Sequence, residues 1–205
     1  MGPDPQVAPV LELRLERAGH GAVPILGALG LTLSEGETVA LTGPSGTGKT
    51  TLLRIVAGLH RNFSGTCRCR GTMTMVFQEP ALVPWLDLAG NLALTSNASP
   101  EAIRSQLDKA GLGGMEARFP GTLSLGQQRR VALARAFAGT PDLLLMDEPF
   151  VSLDGAAADE MMALFEALRH DRRTATLIVT HDLQQAERLA SRVLRLYGRP
   201  AVFQA

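Results

Sequence analysis

The sequence predicts an α/β domain in which a mostly parallel sheet carries helices on both faces and a helical lobe is inserted. Strand-like and helix-like patterns alternate along the chain, as they do in domains built on a parallel sheet. A glycine-rich turn leads directly from one strand pattern into a helix pattern. Between residues 78 and 140, proline-broken and helical stretches replace the strands, which is typical of an insertion.

The individual elements follow from hydrophobic period and length. Apolar and charged residues alternate in the first strand, whereas short continuous apolar runs indicate buried strands. In chain order we predict the strands Val10–Leu15 and Thr38–Thr42, the helix Thr50–Leu59, the strand Thr72–Phe77, the helices Pro100–Ala110 and Gly126–Ala138, the strand Leu143–Met146, the helix Ala156–His170, the strand Thr176–Thr180, the helix Leu183–Ala190 and the strand Val193–Tyr197. We therefore expect one domain, with residues 1–77 and 141–205 as its core lobe and residues 78–140 as its helical lobe.

Composition excludes several classes of protein. The 205 residues are 45% apolar and 20% charged with zero formal net charge, which suits a folded domain and does not favour binding to nucleic acid. No apolar run approaches the roughly 20 residues that a membrane-spanning helix needs. The start, Met1–Pro9, lacks the pattern of a targeting peptide. Cys67 and Cys69 are too few and too close for a disulfide framework, so we interpret them as ordinary strand residues.

Polar groups follow four of the apolar strands. The glycine-rich turn comes after Thr38–Thr42, Gln78 after the next strand, Asp147 and Glu148 after Leu143–Met146, and His181 after the strand that ends at Thr180. In open α/β sheets, ligands bind at the carboxyl ends of the strands. We therefore expect these groups to meet at one edge of the sheet.

The glycine-rich turn matches the phosphate-loop pattern, in which a glycine and four residues precede Gly-Lys-Thr. Its glycines allow backbone N–H groups to turn inward around phosphates, and the following helix start adds positive dipole character. The lysine would contact the outer phosphates and the first threonine would reach Mg²⁺. The candidate nucleotide-binding residues here are Gly43, Pro44, Ser45, Gly46, Thr47, Gly48, Lys49, Thr50 and Thr51.

Two adjacent carboxylates, Asp147 and Glu148, end an apolar strand, which is unfavourable unless a cation lies nearby. Asp147 is a candidate Mg²⁺ ligand, and Glu148 is a candidate base for the attacking water.

A second possible anion site is the stretch Leu123-Ser124-Leu125-Gly126-Gln127-Gln128, where a serine and a glycine open a helix. Taken alone, that stretch could equally be an ordinary helix cap.

In these motifs, their order and their spacing, the sequence resembles the ATP-binding cassette (ABC) ATPases from about Leu11 to Tyr197. The resemblance implies a phosphate-loop NTPase core of the RecA-like type with an ABC-type β-subdomain and an inserted α-helical subdomain. In this family two cassettes pack head to tail, and each ATP lies between one phosphate loop and the partner's signature. Ser124, Gly126 and Gln127 would then bind the outer phosphate of a nucleotide held by a second copy.

The resemblance also implies roles for single residues outside the loop. Gln78 would sense Mg²⁺ and the attacking water, Asp154 would lie at the dimer seam, and His181 would hold the outer phosphate and orient Glu148. His20 stands where the family usually has an aromatic residue that stacks on adenine, and imidazole can stack less strongly.

The sequence departs from the family pattern in its signature and its seam loop. Leu125 stands where glycine is usual, and Val151 and Ser152 stand where serine and alanine are commoner. These changes bear on hydrolysis rate and nucleotide affinity more than on the fold. A cassette that binds ATP but hydrolyses it poorly is therefore one alternative.

The segment Val76–Trp85, with Asn91 beyond it, resembles the ATPase subunits of nitrate, sulfonate and taurine importers. This implies a permease subunit in the membrane, a substrate-binding protein, and a peripheral location on the cytoplasmic face of the inner membrane. We expect Gln78–Asn91 to form part of the groove that receives a cytoplasmic helix of the permease, unless Trp85 packs in the core of the lobe. A soluble ABC ATPase of chromosome maintenance or repair is a further alternative, but the chain lacks the long coiled-coil insertion or zinc module of that class.

Overall fold

The computed structural model describes residues 8–21, 23–170 and 172–204. The chain divides into a sheet unit, formed by Met1–Met75, Asp142–Glu148 and Arg173–Ala205, and a helical unit, formed by Val76–Pro141 and Pro149–Arg172. The helices are α1 (Lys49–Val56), α2 (Leu88–Ala93), α3 (Pro100–Lys109), α4 (Leu125–Ala138), α5 (Gly155–Arg169) and α6 (Leu183–Leu189). Of the described residues, none belongs to a helix long and apolar enough to cross a membrane.

Ten strands form one sheet in the described part of the chain, in the order β3-β1-β2-β10-β9-β4-β8-β7-β6, with β5 paired to β1. Their bounds are β1 (Leu11–His20), β2 (Val23–Leu26), β3 (Leu29–Leu33), β4 (Thr38–Thr42), β5 (Phe63–Cys69), β6 (Met73–Val76), β7 (Leu143–Asp147), β8 (Ala175–Val179), β9 (Arg192–Gly198) and β10 (Ala201–Phe203). The predicted fold class, an α/β sheet domain with a β-subdomain and a helical subdomain, is confirmed.

The parallel part of the sheet positions the functional groups. Strands β4, β7 and β8 are buried at every residue and pair in parallel, as their continuous apolar runs predict. Val179 near the end of β8 pairs with Leu41 on one side and with Asp147 on the other. The three loops that follow these strands therefore leave the sheet at one edge, as expected.

The antiparallel part forms the β-subdomain. Strand β1 pairs with β2, β3 and β5, and it extends five residues beyond the predicted end at Leu15. Leu13 pairs with Cys67 and Leu11 with Cys69, so both cysteines are strand residues, as interpreted. Helix α1 packs against β5, β7 and β8, and α6 packs against β4 and β9.

The helical unit contains α2 to α5. Phe137 of α4 and Phe165 of α5 are fully buried with ring centroids 6.2 Å apart, and the Arg172 guanidinium lies 5.5 Å from the centre of the Phe137 ring. Because α5 packs against α4 in this way, the structure groups residues 149–172 with the helical unit, whereas the sequence-based division placed them in the core lobe.

Candidate nucleotide site

The phosphate loop connects β4 to α1, and its backbone needs glycine. Gly43 and Gly48 have φ of 139° and 96°, a region that other residues rarely adopt. A Cβ on Gly43 would lie 2.5 Å from the carbonyl oxygen of Leu196, and one on Gly48 would lie 2.7 Å from Cγ2 of Ile25. The backbone of the loop is therefore packed against the sheet unit with no room for side chains at these two positions.

Lys49 is buried beneath the loop that it ends. Its Nζ donates to the carbonyl oxygens of Gly43 at 2.8 Å and Pro44 at 3.1 Å, and the Thr47 hydroxyl also donates to Pro44 at 2.8 Å. An ammonium group has three N–H donors, so one remains for a phosphate oxygen. The loop thus presents a fixed positive charge and the backbone N–H groups at the start of α1 to the same space.

Thr50 and Asp147 meet at the edge of the sheet. The Thr50 hydroxyl donates to Oδ1 of Asp147 at 3.1 Å. Burial raises the pKa of the Asp147 carboxyl, the charge of Glu148 adds to this, and the hydrogen bond from Thr50 opposes it. Hydroxyl and carboxylate oxygens are the ligands that Mg²⁺ prefers, so this donor pair fits the metal that the resemblance implies.

Glu148 has a strained backbone that aims its side chain at His181. Its φ is 48°, an uncommon value for a residue other than glycine, and its N–H donates to the carbonyl oxygen of Val179 at 2.9 Å. Oε2 of Glu148 lies 2.8 Å from Nδ1 of His181, where an Nδ1–H donates to the carboxylate. The structure therefore joins the candidate base to its candidate orienting residue.

The raised pKa of Asp147 leads to a prediction about stability. Because the folded pKa lies above the unfolded one, the buried charge costs stability at neutral pH, and this cost disappears as pH falls below the ordinary value of 3.8. Asp147→Asn is expected to raise Tm at pH 7, by about 2–4 °C for each kcal/mol relieved. The difference in Tm between Asp147→Asn and wild type should narrow in thermal melts recorded at progressively lower pH. A variant that is less stable than wild type at pH 7 would contradict the raised pKa of Asp147.

The remaining candidate residues belong to the helical unit. Ser124 caps α4: its Oγ accepts from the N–H of Gln127 at 3.3 Å, and its N–H donates to Oε1 of Gln127 at 3.1 Å. A Cβ on Gly126 would meet only the Ser124 oxygen at 4.0 Å, so that position is open. Asp154 caps α5 by accepting from the N–H of Ala157 at 2.9 Å. Ser124 is thus a helix cap in the free chain, and the binding of a partner's nucleotide by the signature stays a prediction.

Gln78 is exposed and lines a groove within the helical unit. The groove encloses about 650 Å³ and is lined by Gln78, Glu79, Pro80, Ala81, Leu82, Pro84, Pro120, Gly121, Leu125, Gln128, Arg129, Val151 and Ser152. All three positions that depart from the family pattern in this unit, Leu125, Val151 and Ser152, are among them. The side chain of His20, the residue proposed to stack on adenine, lies outside the described residues.

Sequence reasoning missed what Asn91 does. Asn91 is fully buried, its Oδ1 accepts from the N–H of Val83 at 2.8 Å, and its Nδ2 donates to the carbonyl oxygens of Val83 and Leu86. It therefore holds the loop before α2 in place, and its burial in the free chain argues against a direct contact with the permease. No local pattern in the sequence marks this asparagine as buried.

Known proteins identify the family of this chain. The ABC transporter family profile matches residues 26–151. An aliphatic sulfonates import ATP-binding protein of Burkholderia cenocepacia is 41% identical, with 94% of this chain and 75% of the relative covered. A protein of the same name from Nocardia farcinica is 44% identical over 84% of this chain and 70% of its own length.

Two solved structures share the fold. One is a dimeric ATP-binding cassette in a post-hydrolysis state bound to ADP and Pi, with a TM-score of 0.78 and 26% identity over 95% of this chain and 97% of that chain. The other is an inward-facing ABC transporter of the metal-chelate type, with a TM-score of 0.80 and 26% identity over 96% and 83% of the two chains. The chain belongs to the ABC transporter family, in which it is an ATP-binding cassette ATPase.

Proposed function

We propose that this chain is the ATP-hydrolysing subunit of a bacterial importer of the sulfonate, nitrate and taurine group, acting on the cytoplasmic face of the inner membrane. The observation that carries the proposal is the pairing of Glu148 with His181 on the sheet edge that also holds Lys49, Thr50 and Asp147. The import function is supported by the names of relatives that are 41% and 44% identical. A membrane-spanning permease and a substrate-binding protein would complete the system.

Each group at the sheet edge has a part in hydrolysis. Lys49 and the backbone N–H groups of the loop bind the phosphates of ATP. Thr50 and Asp147 would hold Mg²⁺, which neutralises charge on the phosphates when bound. The assignment of Gln78 to the same metal rests on the family resemblance alone. Glu148 accepts the proton of the attacking water, and His181 holds the Glu148 carboxylate in its orientation.

Dimerisation would complete the site. The cassette with ADP and Pi is a dimer, and its fold matches almost the whole of this chain. In a head-to-tail pair, Ser124, Gly126 and Gln127 would contribute hydroxyl, backbone and amide donors to the outer phosphate on the partner, with Asp154 at the seam. His20 would lie against the adenine.

The exposure of Trp85 supports docking of the permease on the helical unit. Trp85 is 77% exposed, so the alternative that it packs in the core of the lobe is wrong. Phe77 is also exposed, and most of the residues between them, Gln78 to Pro84, line the groove. Exposed aromatic residues beside a groove are typical of protein interfaces.

Trp85→Ala tests the docking surface. The permease is the membrane protein that co-purifies with the tagged wild-type chain from its source organism, and its affinity for the variant is expected to fall at least about tenfold, as loss of an interface aromatic typically causes. Tm should not change, because Trp85 is exposed. Leu94→Ala is the control, since Leu94 is a comparably exposed apolar residue of the same unit. Equal affinity of wild type and Trp85→Ala would reject the surface.

A further inference from the structure

We propose that the groove selects its permease by an ion pair, in which Arg129 binds a carboxylate side chain on the docking helix of the membrane subunit. This inference rests on the proposed function and adds the chemistry of recognition. Arg129 lies on α4 and lines the groove. It is only 9% exposed, yet its Nε and Nη1 atoms are buried without a hydrogen-bond partner among the residues that the structure describes.

Three other half-buried arginines of the helical unit illustrate the contrast. Arg130 donates to the carbonyl oxygen of Ala110 and to Glu160. Arg135 donates to the carbonyl oxygens of Ala81 and Pro80, and Arg172 to that of Phe137. A guanidinium keeps its charge in proteins, and an unpaired buried charge is strongly unfavourable. Arg129 therefore needs an acceptor that arrives from outside the unit.

A carboxylate is the acceptor that fits best. Guanidinium N–H groups form charge-assisted hydrogen bonds with carboxylate oxygens, and these are about twice as strong as hydrogen bonds between neutral groups. Glu79 also lines the groove, but it is exposed and does not satisfy the buried nitrogens. Its charge at the rim would repel an acidic segment that entered in the wrong orientation.

The groove and its surroundings indicate a protein segment from the membrane subunit as the source of the carboxylate. Leu82, Pro84, Leu125 and Val151 give the groove apolar walls, which suit a short amphipathic helix rather than a free anion. Six of the residues from Gln78 to Pro84 line the groove, and the exposed Trp85 follows them directly in the chain, so we take the groove as part of the proposed docking surface. A buried ion pair of this kind chiefly provides specificity, since a partner without the carboxylate leaves Arg129 unpaired.

The test uses the complex of this chain with the co-purifying permease. Arg129→Gln is expected to weaken binding of the permease at least about tenfold, as loss of a buried charged hydrogen bond does. Tm of the isolated chain should stay the same or rise, because an unpaired buried charge is removed. Arg104→Gln is the matched control, because Arg104 is exposed in the same unit and pairs with Glu101 on its own helix. In a second set of variants, each Asp or Glu in the cytoplasmic loops of the permease is changed singly to Asn or Gln. Binding is measured for each of these variants with the wild-type chain and with Arg129→Gln.

One permease carboxylate is expected to be coupled to Arg129, so that its loss weakens binding by a similar factor and the double variant is no worse than either single one. Strictly additive effects at every acidic position would overturn the ion pair. So would a loss of several degrees in Tm for Arg129→Gln, or a variant that fails in ATP-driven dimerisation but binds the permease normally. If the wild-type chain binds no permease, or if Trp85→Ala does not change the affinity for the permease, the docking proposal itself fails. If binding of the permease depends on Trp85 but not on Arg129, only the ion pair is rejected.

Discussion

Glu148→Gln is expected to abolish ATP turnover while ATP still binds. The Glu148 carboxylate lies 2.8 Å from Nδ1 of His181, at the end of the strand that also carries Asp147. Glutamine preserves the shape but cannot accept a proton, and loss of a general base typically slows a reaction by about a hundredfold to ten-thousandfold. Steady-state phosphate release measures the turnover, and equilibrium binding of labelled ATP measures the affinity.

The variant should also accumulate as an ATP-bound dimer in size-exclusion chromatography, because hydrolysis no longer separates the two copies. Glu187→Gln provides the control, since Glu187 is an exposed glutamate on α6 of the same unit. Turnover of Glu148→Gln close to that of wild type would refute the assignment of the base. If the wild-type chain, assayed with its permease, has an equally low turnover, the result would instead favour the alternative based on Leu125, a cassette that binds ATP but hydrolyses it poorly.

Lys49→Ala is expected to remove ATP binding itself. Lys49 has two of its donors on the loop carbonyls of Gly43 and Pro44, so it holds the loop in shape, and its remaining donor would contact the phosphates of a bound nucleotide. These contacts exist before the reaction begins, so their loss weakens binding and does not only slow catalysis. Loss of two or three charged hydrogen bonds predicts an increase in Kd of at least about a hundredfold, measured by calorimetry.

Lys109→Ala is the control for the loss of a positive charge, because Lys109 is exposed at the end of α3. The Lys49 variant must also remain folded, which its circular dichroism spectrum shows. Unchanged affinity for ATP in a folded Lys49→Ala variant would exclude the proposed role of the phosphate loop.

The buried parallel strands were predictable from the sequence, and the antiparallel strands mostly were not. Strands β4, β7 and β8 lie within one residue of their predicted bounds, because strands covered on both faces require continuous apolar runs. Strands β2, β3 and β10 and helix α2 were missed, and β5 was anticipated only at its two cysteines. Strands β2 and β10 are short, and strands β2 and β5 expose many of their residues, so their hydrophobic pattern is weak. Pairing with β1 and β9 decides their conformation.

Two features of the helical unit show the same limit of local pattern. The sequence allowed Trp85 to be either a core residue or an interface residue, and only its 77% exposure separates the two. Arg129 follows the signature as one of two adjacent arginines, and nothing in the sequence distinguishes it from Arg130. The structure gives Arg130 two partners and leaves Arg129 buried with unpaired nitrogens.

The sequence by itself determined the family, the nucleotide and the residues that would bind and hydrolyse it. This was possible because a phosphate loop, a strand ending in two acids and a signature helix start are each encoded by neighbouring residues. The tertiary structure decided what depends on residues far apart in the chain. It joined Thr50 to Asp147 and Glu148 to His181, and it buried Asn91 as the support of a loop. It also left Nε and Nη1 of Arg129 without an acceptor among the described residues. Burial and pairing of this kind are properties of the packed chain, which no local pattern contains.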